Sequence, residues 1–271
     1  MLRTRTRDSK WPLMMSRGID MKLKVLASGS SGNCYILQSP TGNLLIEAGI
    51  AWKEIQKGLN YDLSDIQGCL VTHSHKDHSK AVVDIMKAGI TTYLSVGTCD
   101  ALNLEYWVCN TYRLSFAHAR EKFQINDFDI LPFDTEHDAP ESLGFLIQYR
   151  PTGEKLLFVT DSYYCKYQFT GLNYIMIECN YIKETLDWNI ENGYIHEAMK
   201  PRLLQSHMSL ETLKDFLRAN DLSQCREIIL LHLSSQNADA ERMVEEIADL
   251  TGIVPRIAKP GLEIGLEKFP Y

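Results

Sequence analysis

The stretch "THSHKDH" at positions 72–78 packs His73, His75, Asp77 and His78 into six consecutive positions of a chain with only eight histidines. Imidazole and carboxylate are the donors that bind zinc and other borderline divalent cations, so this cluster points to metal chemistry. The competing reading is a polar turn that happens to be rich in histidine. Read as strand-like, the segment turns His73 and His75 to the same side, because side chains alternate along a strand. Asp77 and His78 fall where strand gives way to helix, a turn that aims them at a second point nearby.

Three further single donors occur later in the chain. His137 lies in "DTEHDAP" just after a strand, Asp161 ends the apolar run "LLFVTD", and His232 sits near the end of "IILLHLS". Each stands towards the carboxyl end of an apolar strand, where open sheets present functional groups on loops held by a rigid scaffold.

The elements that must position these groups can be read from periodicity. Strands are expected at 22–28, 34–39 and 44–49 ("LLIEAG"), joined by the turns "GSSGN" and "TGN". A short helix fits 51–59. "GCLVT" at 68–72 is a buried-type strand that runs into the histidines, and 79–89 reads as a helix closed by Gly89. A short strand near "TTYLS" and a short helix near 97–105 follow. In the second half, strands are expected at 128–134, 143–150, 155–161, 174–180 and 227–235, with amphipathic helices at 209–220 and 238–252. "LEIGLEKF" supplies a last strand near the end. No repeat, low-complexity segment or clear linker interrupts the pattern. Strand-rich halves with interspersed helices suggest sheets covered by helices in a single domain over 21–271.

Composition sets the outer bounds. A chain of 271 residues, 45% of them hydrophobic, can bury a sizeable core without staples. The seven cysteines are scattered with no CxxC pair, and read as small core residues of a reducing, cytoplasmic compartment. No apolar run approaches the length of a membrane span. Residues 1–20 carry five basic side chains against two acidic ones and lack the apolar core of a secretory signal. They are expected to be a disordered extension. The chain as a whole is −7, which argues against tight, nonspecific duplex binding through many Lys and Arg contacts.

"THSHKDH" resembles the HxHxDH signature of the metallo-β-lactamase fold superfamily, and His137, Asp161 and His232 fall in the order of its later motifs. The features "LASGSSGNCYIL", "EHDAPESLGFLI", "IECNY", "SHMSLET" and "LLHLSSQN" are similar to those of the YycJ-type hydrolases, a branch similar to ribonuclease Z-like phosphodiesterases. The resemblance covers roughly Met21 to the C-terminus. It implies an α/β fold, a four-layer αββα sandwich of two mixed sheets flanked by helices, with a two-metal site at one edge. Carried over by motif, His73, His75 and His137 hold one divalent ion, Asp77, His78 and His232 hold a second, and Asp161 bridges them. Zinc is the first choice; manganese and iron also suit mixed nitrogen and oxygen donors.

The same resemblance implies a phosphodiesterase or nuclease in which a metal-bridging hydroxide attacks phosphorus. Asp77 and His207 are the catalytic residues it implies, with His207 touching the scissile phosphate or giving a proton to the leaving oxygen. The implied substrate is nucleic acid or another phosphodiester, and the acidic balance favours a single-stranded or end-type one. Relatives carry Asp where this chain has Glu47, an acid that steadies the metal site from behind its ligands. His118 and His196 match no ligand motif and read as surface or supporting residues, and Lys76 as solvent-facing.

A glyoxalase II-like thioesterase is the alternative enzyme, although its C-terminal substrate-binding helices are not evident after His232. A true β-lactamase would be exported, and many place a cysteine where Asp161 stands. A noncatalytic binding module on this fold would tend to have lost ligands, and none is missing. Positions 162–206 are too few for the extra domain of the large RNA- and DNA-processing nucleases of the superfamily.

Overall fold

Strand β1 (Met21–Ala27) buries Met21, Leu23 and Val25 and turns Lys22 outward, the period of two that commits one face of a sheet to a core. In this computed structural model, which describes residues 21–106 and 113–267, the same logic builds two seven-stranded sheets. The expected N-terminal extension, residues 1–20, lies outside the described residues, as does Cys109.

The first sheet has the order β14 (Glu263–Leu266), β1, β2 (Cys34–Ser39), β3 (Gly42–Ile46), β4 (Ile66–Leu70), β5 (Thr92–Leu94) and β6 (Leu114–Phe116). The second has the order β13 (Arg256–Ile257), β12 (Glu227–Leu231), β11 (Tyr174–Glu178), β10 (Glu154–Val159), β9 (Leu143–Tyr149), β8 (Phe128–Asp134) and β7 (Phe123–Ile125). Both sheets are mixed. Pairing is antiparallel from β14 to β3 and parallel from β3 to β6, then antiparallel from β7 to β10 and parallel from β10 to β13.

Three apolar layers hold the sandwich. Between the sheets, Leu23, Tyr35 and Ile46 meet Phe158, Met176 and Leu231, with the Tyr35 and Phe158 rings edge-on at 5.5 Å. Outside the first sheet, Ile55, Ile85 and Cys99 pack from helices α1 (Trp52–Gly58), α3 (Val82–Lys87) and α4 (Val96–Ala101). Outside the second, Leu213 and Leu217 of α7 (Leu210–Ala219) and Met243 and Ile247 of α8 (Ala240–Thr251) do the same. This is the αββα arrangement expected from the sequence. Cys34, Cys69, Cys99, Cys165 and Cys179 are buried free thiols, as small core residues should be. Among the described residues, no helix is long and apolar enough to cross a membrane.

Two local expectations are corrected. His73 and His75 do not lie in a strand, because β4 stops at Leu70 and residues 71–75 run on as irregular backbone. The helix expected over 79–89 is instead two, α2 (Lys76–Ser79) and α3, broken near Ala81. The cause is competition for backbone groups. The Asp77 carbonyl accepts from the Asn33 N–H at 2.8 Å, and the Ala81 N–H donates instead to the Ala48 carbonyl at 2.8 Å. The helical bond between Ala81 and Asp77 is therefore given up to tie the segment to the loop after β3.

Strand register then sets one edge of the molecule. Val159, Ile177 and Leu230 pair across β10, β11 and β12. Asp161, Glu178 and His232 therefore emerge side by side at the carboxyl ends of these parallel strands. A cover over this edge is formed by α5 (Lys183–Glu191), a short 3-10 turn and α6 (Lys200–Ser206), held by a small cluster of Tyr181, Leu186 and Ile195.

Candidate metal centre

The loops after β4 and β8 bring three imidazoles, His73, His75 and His137, into a triangle. Ring centroids lie 4.8 Å apart for His73 and His75, 4.5 Å for His73 and His137, and 4.9 Å for His75 and His137. His73 is anchored through Nδ1, 2.9 Å from the Thr72 hydroxyl, and His137 through Nδ1, 3.0 Å from the Ser206 carbonyl. Fixing one ring nitrogen aims the other, which is how metal-binding histidines are oriented. Nε2 of His73 is buried and has no hydrogen-bond partner. A buried polar atom of that kind is costly unless something binds it.

A second group forms beside the first. His78 Nε2 lies 3.5 Å from Asp77 Oδ2 and 3.3 Å from Asp161 Oδ2, and His232 Nε2 lies 3.9 Å from Asp77 Oδ2. Asp161 stands between the groups. Its Oδ2 is 4.0 Å from both His73 and His137 Nε2, while Oδ1 is 2.5 Å from His232 Nδ1. All seven residues expected as ligands from the sequence thus converge. Donor atoms of His73, His75 and His137, and of His73, His78 and Asp161, lie within 4.8 Å of one another in each set. The donor types, the burial and the orphaned His73 nitrogen fit a divalent metal ion.

The backbone is bent to make this possible. Glu47, Asp161 and His232 have φ of 68°, 46° and 53°, the left-handed region that side chains other than glycine avoid. Such outliers persist where surrounding structure over-determines them, and they cluster at functional sites. Here three of them fall on residues of one site.

Burial and neighbouring charge shift the titration of these groups. Burial opposes charging His78, but Asp161 and Glu47 outweigh it and hold the ring well above the usual imidazole range. Burial is opposed in the same way for Asp161, where His232 and His78 keep the carboxyl well below its ordinary range. For His73 burial wins and favours the neutral ring, the form that binds metal. Glu47 is fully buried with neither carboxyl oxygen hydrogen-bonded, and Oε2 stands 3.6 Å from His78 Nδ1. Its longer side chain thus reaches the back of His78, and burial raises its pKa despite that neighbour.

Sequence reasoning passed over Glu178. It lies in the near-continuous apolar strand "YIMIECN" and is fully buried. Its Oε2 accepts the backbone N–H groups of Ser162 and Met208, each at 3.1 Å, and Oε1 lies 2.7 Å from His207 Nδ1. A lone acid inside a β11-type apolar run was the signal, since a buried charge needs a dedicated partner. Burial opposes the His207 charge and Glu178 overcomes it, raising that ring to about 9. Asp138 is the other unforeseen acid, 3.3 Å from His137 Nε2 and 3.4 Å from Arg202 Nε. His118 is exposed and does not line the cleft at this site. His196 is exposed too; its Nδ1 accepts the Ala198 N–H, and the residue lines the outer cleft. Lys76 is exposed, as expected.

The groups open into a cleft of about 600 Å³ lined by His75, Asp77, His137, Asp161, His207 and His232, and roofed by the 194–206 cover. Comparison with known proteins agrees with this geometry. Residues 43–233 match the family model described as a beta-lactamase superfamily domain. Exodeoxyribonuclease WalJ of Streptococcus pneumoniae is 29% identical over 264 residues, covering 92% of this chain and 93% of that protein. Exodeoxyribonuclease YycJ of Bacillus anthracis is 27% identical over 229 residues, covering 80% and 84%. Among solved structures, the metallo-beta-lactamase fold protein YhfI from Bacillus subtilis superposes with a TM-score of 0.66 at 16% identity, covering 91% of this chain and 99% of that one.

Proposed function

From the premise that the chain belongs to the beta-lactamase superfamily, we propose that it is a metal-dependent phosphodiesterase that hydrolyses nucleic acid from strand ends. The observation that carries this is the Glu178–His207 pair set beside the groups of metal-type donors, with Asp161, His207 and His232 lining one cleft. The full-length likeness to two proteins named exodeoxyribonucleases supports the choice of substrate. His73, His75 and His137 would hold one ion and Asp77, His78 and His232 a second, with Asp161 shared. Ions held there supply a nucleophile from water at neutral pH and offset charge on phosphoryl oxygens.

The chain's own residues do the rest. Glu178 occupies Nδ1 of His207, which leaves Nε2 as the atom available to a substrate in the cleft. Held in its protonated form, His207 suits donation of a proton to the departing oxygen. The two backbone N–H groups on Glu178 hold that carboxylate in place on His207, with Oε1 also 3.6 Å from His232 Nδ1. Asp77, which would be a ligand of the second ion, also faces the cleft, where its carboxylate would orient a water. Glu47 sits behind His78 and fixes the side from which that ring can bind.

The test offers metal-loaded protein a linear single strand, the same sequence closed into a circle, a thioester and a β-lactam. Hydrolysis of the linear strand alone is expected, and His75→Ala should lower metal content and abolish cleavage. Equal attack on the circle would sink the end requirement. Thioester cleavage without diester cleavage would sink the reading as a whole.

A further inference from the structure

The cover over the cleft carries two aromatic rings that the catalytic reading does not use. Trp188, on α5, is 54% exposed, and Tyr194, just past its end, is 68% exposed. Their rings are stacked, 5.5 Å between centroids and 19° from parallel. Tyr194 also lines the cleft that holds Asp161 and His207. Exposing this much aromatic area costs free energy unless a ligand uses it.

The pair is exposed but its backbone is fixed. Gly193, at φ 75°, makes the left-handed turn that ends α5. The Asn189 carbonyl accepts the N–H groups of both Tyr194 and Ile195. The Asn189 side chain in turn donates to the Gln236 carbonyl at 2.9 Å and to Asn237 Oδ1 at 2.8 Å, on the loop just after His232. Ile195 and Leu186 are buried beneath. The turn bearing the rings is therefore tied to the same loop that carries a metal-type donor. Arg202 lines the same cleft, ion-paired with Asp138 at 3.4 Å. A flat aromatic surface opening on a candidate phosphodiester site matches the chemistry of a single-stranded nucleotide, whose base stacks while its phosphate lies at the reacting centre.

We propose that Tyr194, backed by Trp188, is the stacking platform for the base of a nucleotide flanking the scissile phosphate. This rests on the phosphodiesterase reading above and adds a base subsite to it. Stacking of this kind is tolerant of base identity and requires an unpaired base. It selects unpaired bases without any hydrogen-bond readout of sequence.

The experiment uses metal-loaded protein and a phosphorothioate-linked thymidine hexamer, with an abasic sugar-phosphate of the same length as comparator. Binding of the hexamer should quench tryptophan emission, and Trp188→Phe should remove that quench. Tyr194→Ala should weaken hexamer binding about tenfold, Tyr194→Phe should restore it, and the abasic oligomer should bind wild type and Tyr194→Ala alike. Equal hexamer binding by wild type and Tyr194→Ala overturns the platform. So does equal binding of hexamer and abasic oligomer by wild type, or an emission change with anionic vesicles and none with the hexamer. Wild-type hydrolysis of bis(p-nitrophenyl) phosphate tests the underlying reading separately: its absence sinks the phosphodiesterase, while its presence with unweakened hexamer binding in Tyr194→Ala sinks only the platform.

Discussion

At the scale of residues, the pairing of Glu178 with His207 decides what kind of hydrolase this site suits. A buried glutamate with two backbone N–H donors and one imidazole has a fixed position and a fixed task, to keep His207 charged and aimed. Replacing it by glutamine keeps the shape and removes the charge. Glu178→Gln should therefore lower kcat by roughly 10²–10⁴-fold, the range of a lost general acid, while metal content stays unchanged. Unchanged kcat with an activated p-nitrophenyl leaving group, which needs no proton, would be the matching control. The same pair predicts a pH effect on stability in metal-free protein. The folded-state value for His207, about 9, lies above the unfolded value of about 6.5. Between these values the native state holds more protons than the unfolded chain, so stability falls as pH rises. The contribution, roughly 3 kcal/mol, is fully present below about pH 6.5 and gone above about pH 9. Urea melts across that window should show a steeper loss for wild type than for Glu178→Gln; parallel curves would refute the assignment.

At the scale of elements, the site depends on backbone lacing that no motif describes. The turn before β2 and the segments after β3 and β4 exchange hydrogen bonds: Asn33 N–H to the Asp77 carbonyl, Gly49 N–H to the Asn33 carbonyl, Ala48 N–H to the His78 carbonyl. Gly49 is the close-approach point, since a Cβ there would meet the Asp77 carbonyl oxygen at 1.6 Å. Gly49→Ala must push Asp77 and His78 out of position. A loss of about 1–3 kcal/mol of stability is expected, together with weakened metal binding by calorimetry. Retention of both would show that the loops slide freely. These elements also mark what could be read in advance. The αββα layering was legible because strand β8 and helix α7 carry clear periods and β11 is a continuous apolar run. The seven donors were legible because each sits at the end of such a run. The break at Ala81 was not, because it arises from Asn33 and Ala48, far away in sequence. Strands β6 and β7 were missed because three residues show no period. Glu178 was missed because the same apolar run that announced β11 made its one acid look incidental.

At the scale of the whole molecule, the two sheets meet at the site from opposite sides. His73, His75, Asp77 and His78 come from the segment after β4 in the first sheet; His137, Asp161 and His232 follow β8, β10 and β12 in the second. Without metal, this edge gathers imidazoles and carboxylates in a setting where His73 Nε2, His78 Nδ1 and both Glu47 oxygens lack hydrogen bonds. Such groups cost free energy to bury unpaired. A divalent ion bound by donors from both sheets would join them and give the orphaned His73 Nε2 a partner, so metal loading and global stability should be linked. An ion at about 1,000 times its dissociation constant adds about 4 kcal/mol to the folded state. Zinc should accordingly raise the melting temperature of metal-stripped wild type by several degrees, and chelator should reverse the shift. His75→Ala, which removes one corner of the first triangle, should keep only part of the gain. Asp161→Asn, which removes the carboxylate shared by both groups, should lose more of it than His75→Ala does. Calorimetry of the three proteins with and without zinc checks the order. A wild-type melt indifferent to zinc, or an Asp161→Asn shift as large as wild type, would mean that these donors do not bind the ion as one bridged site.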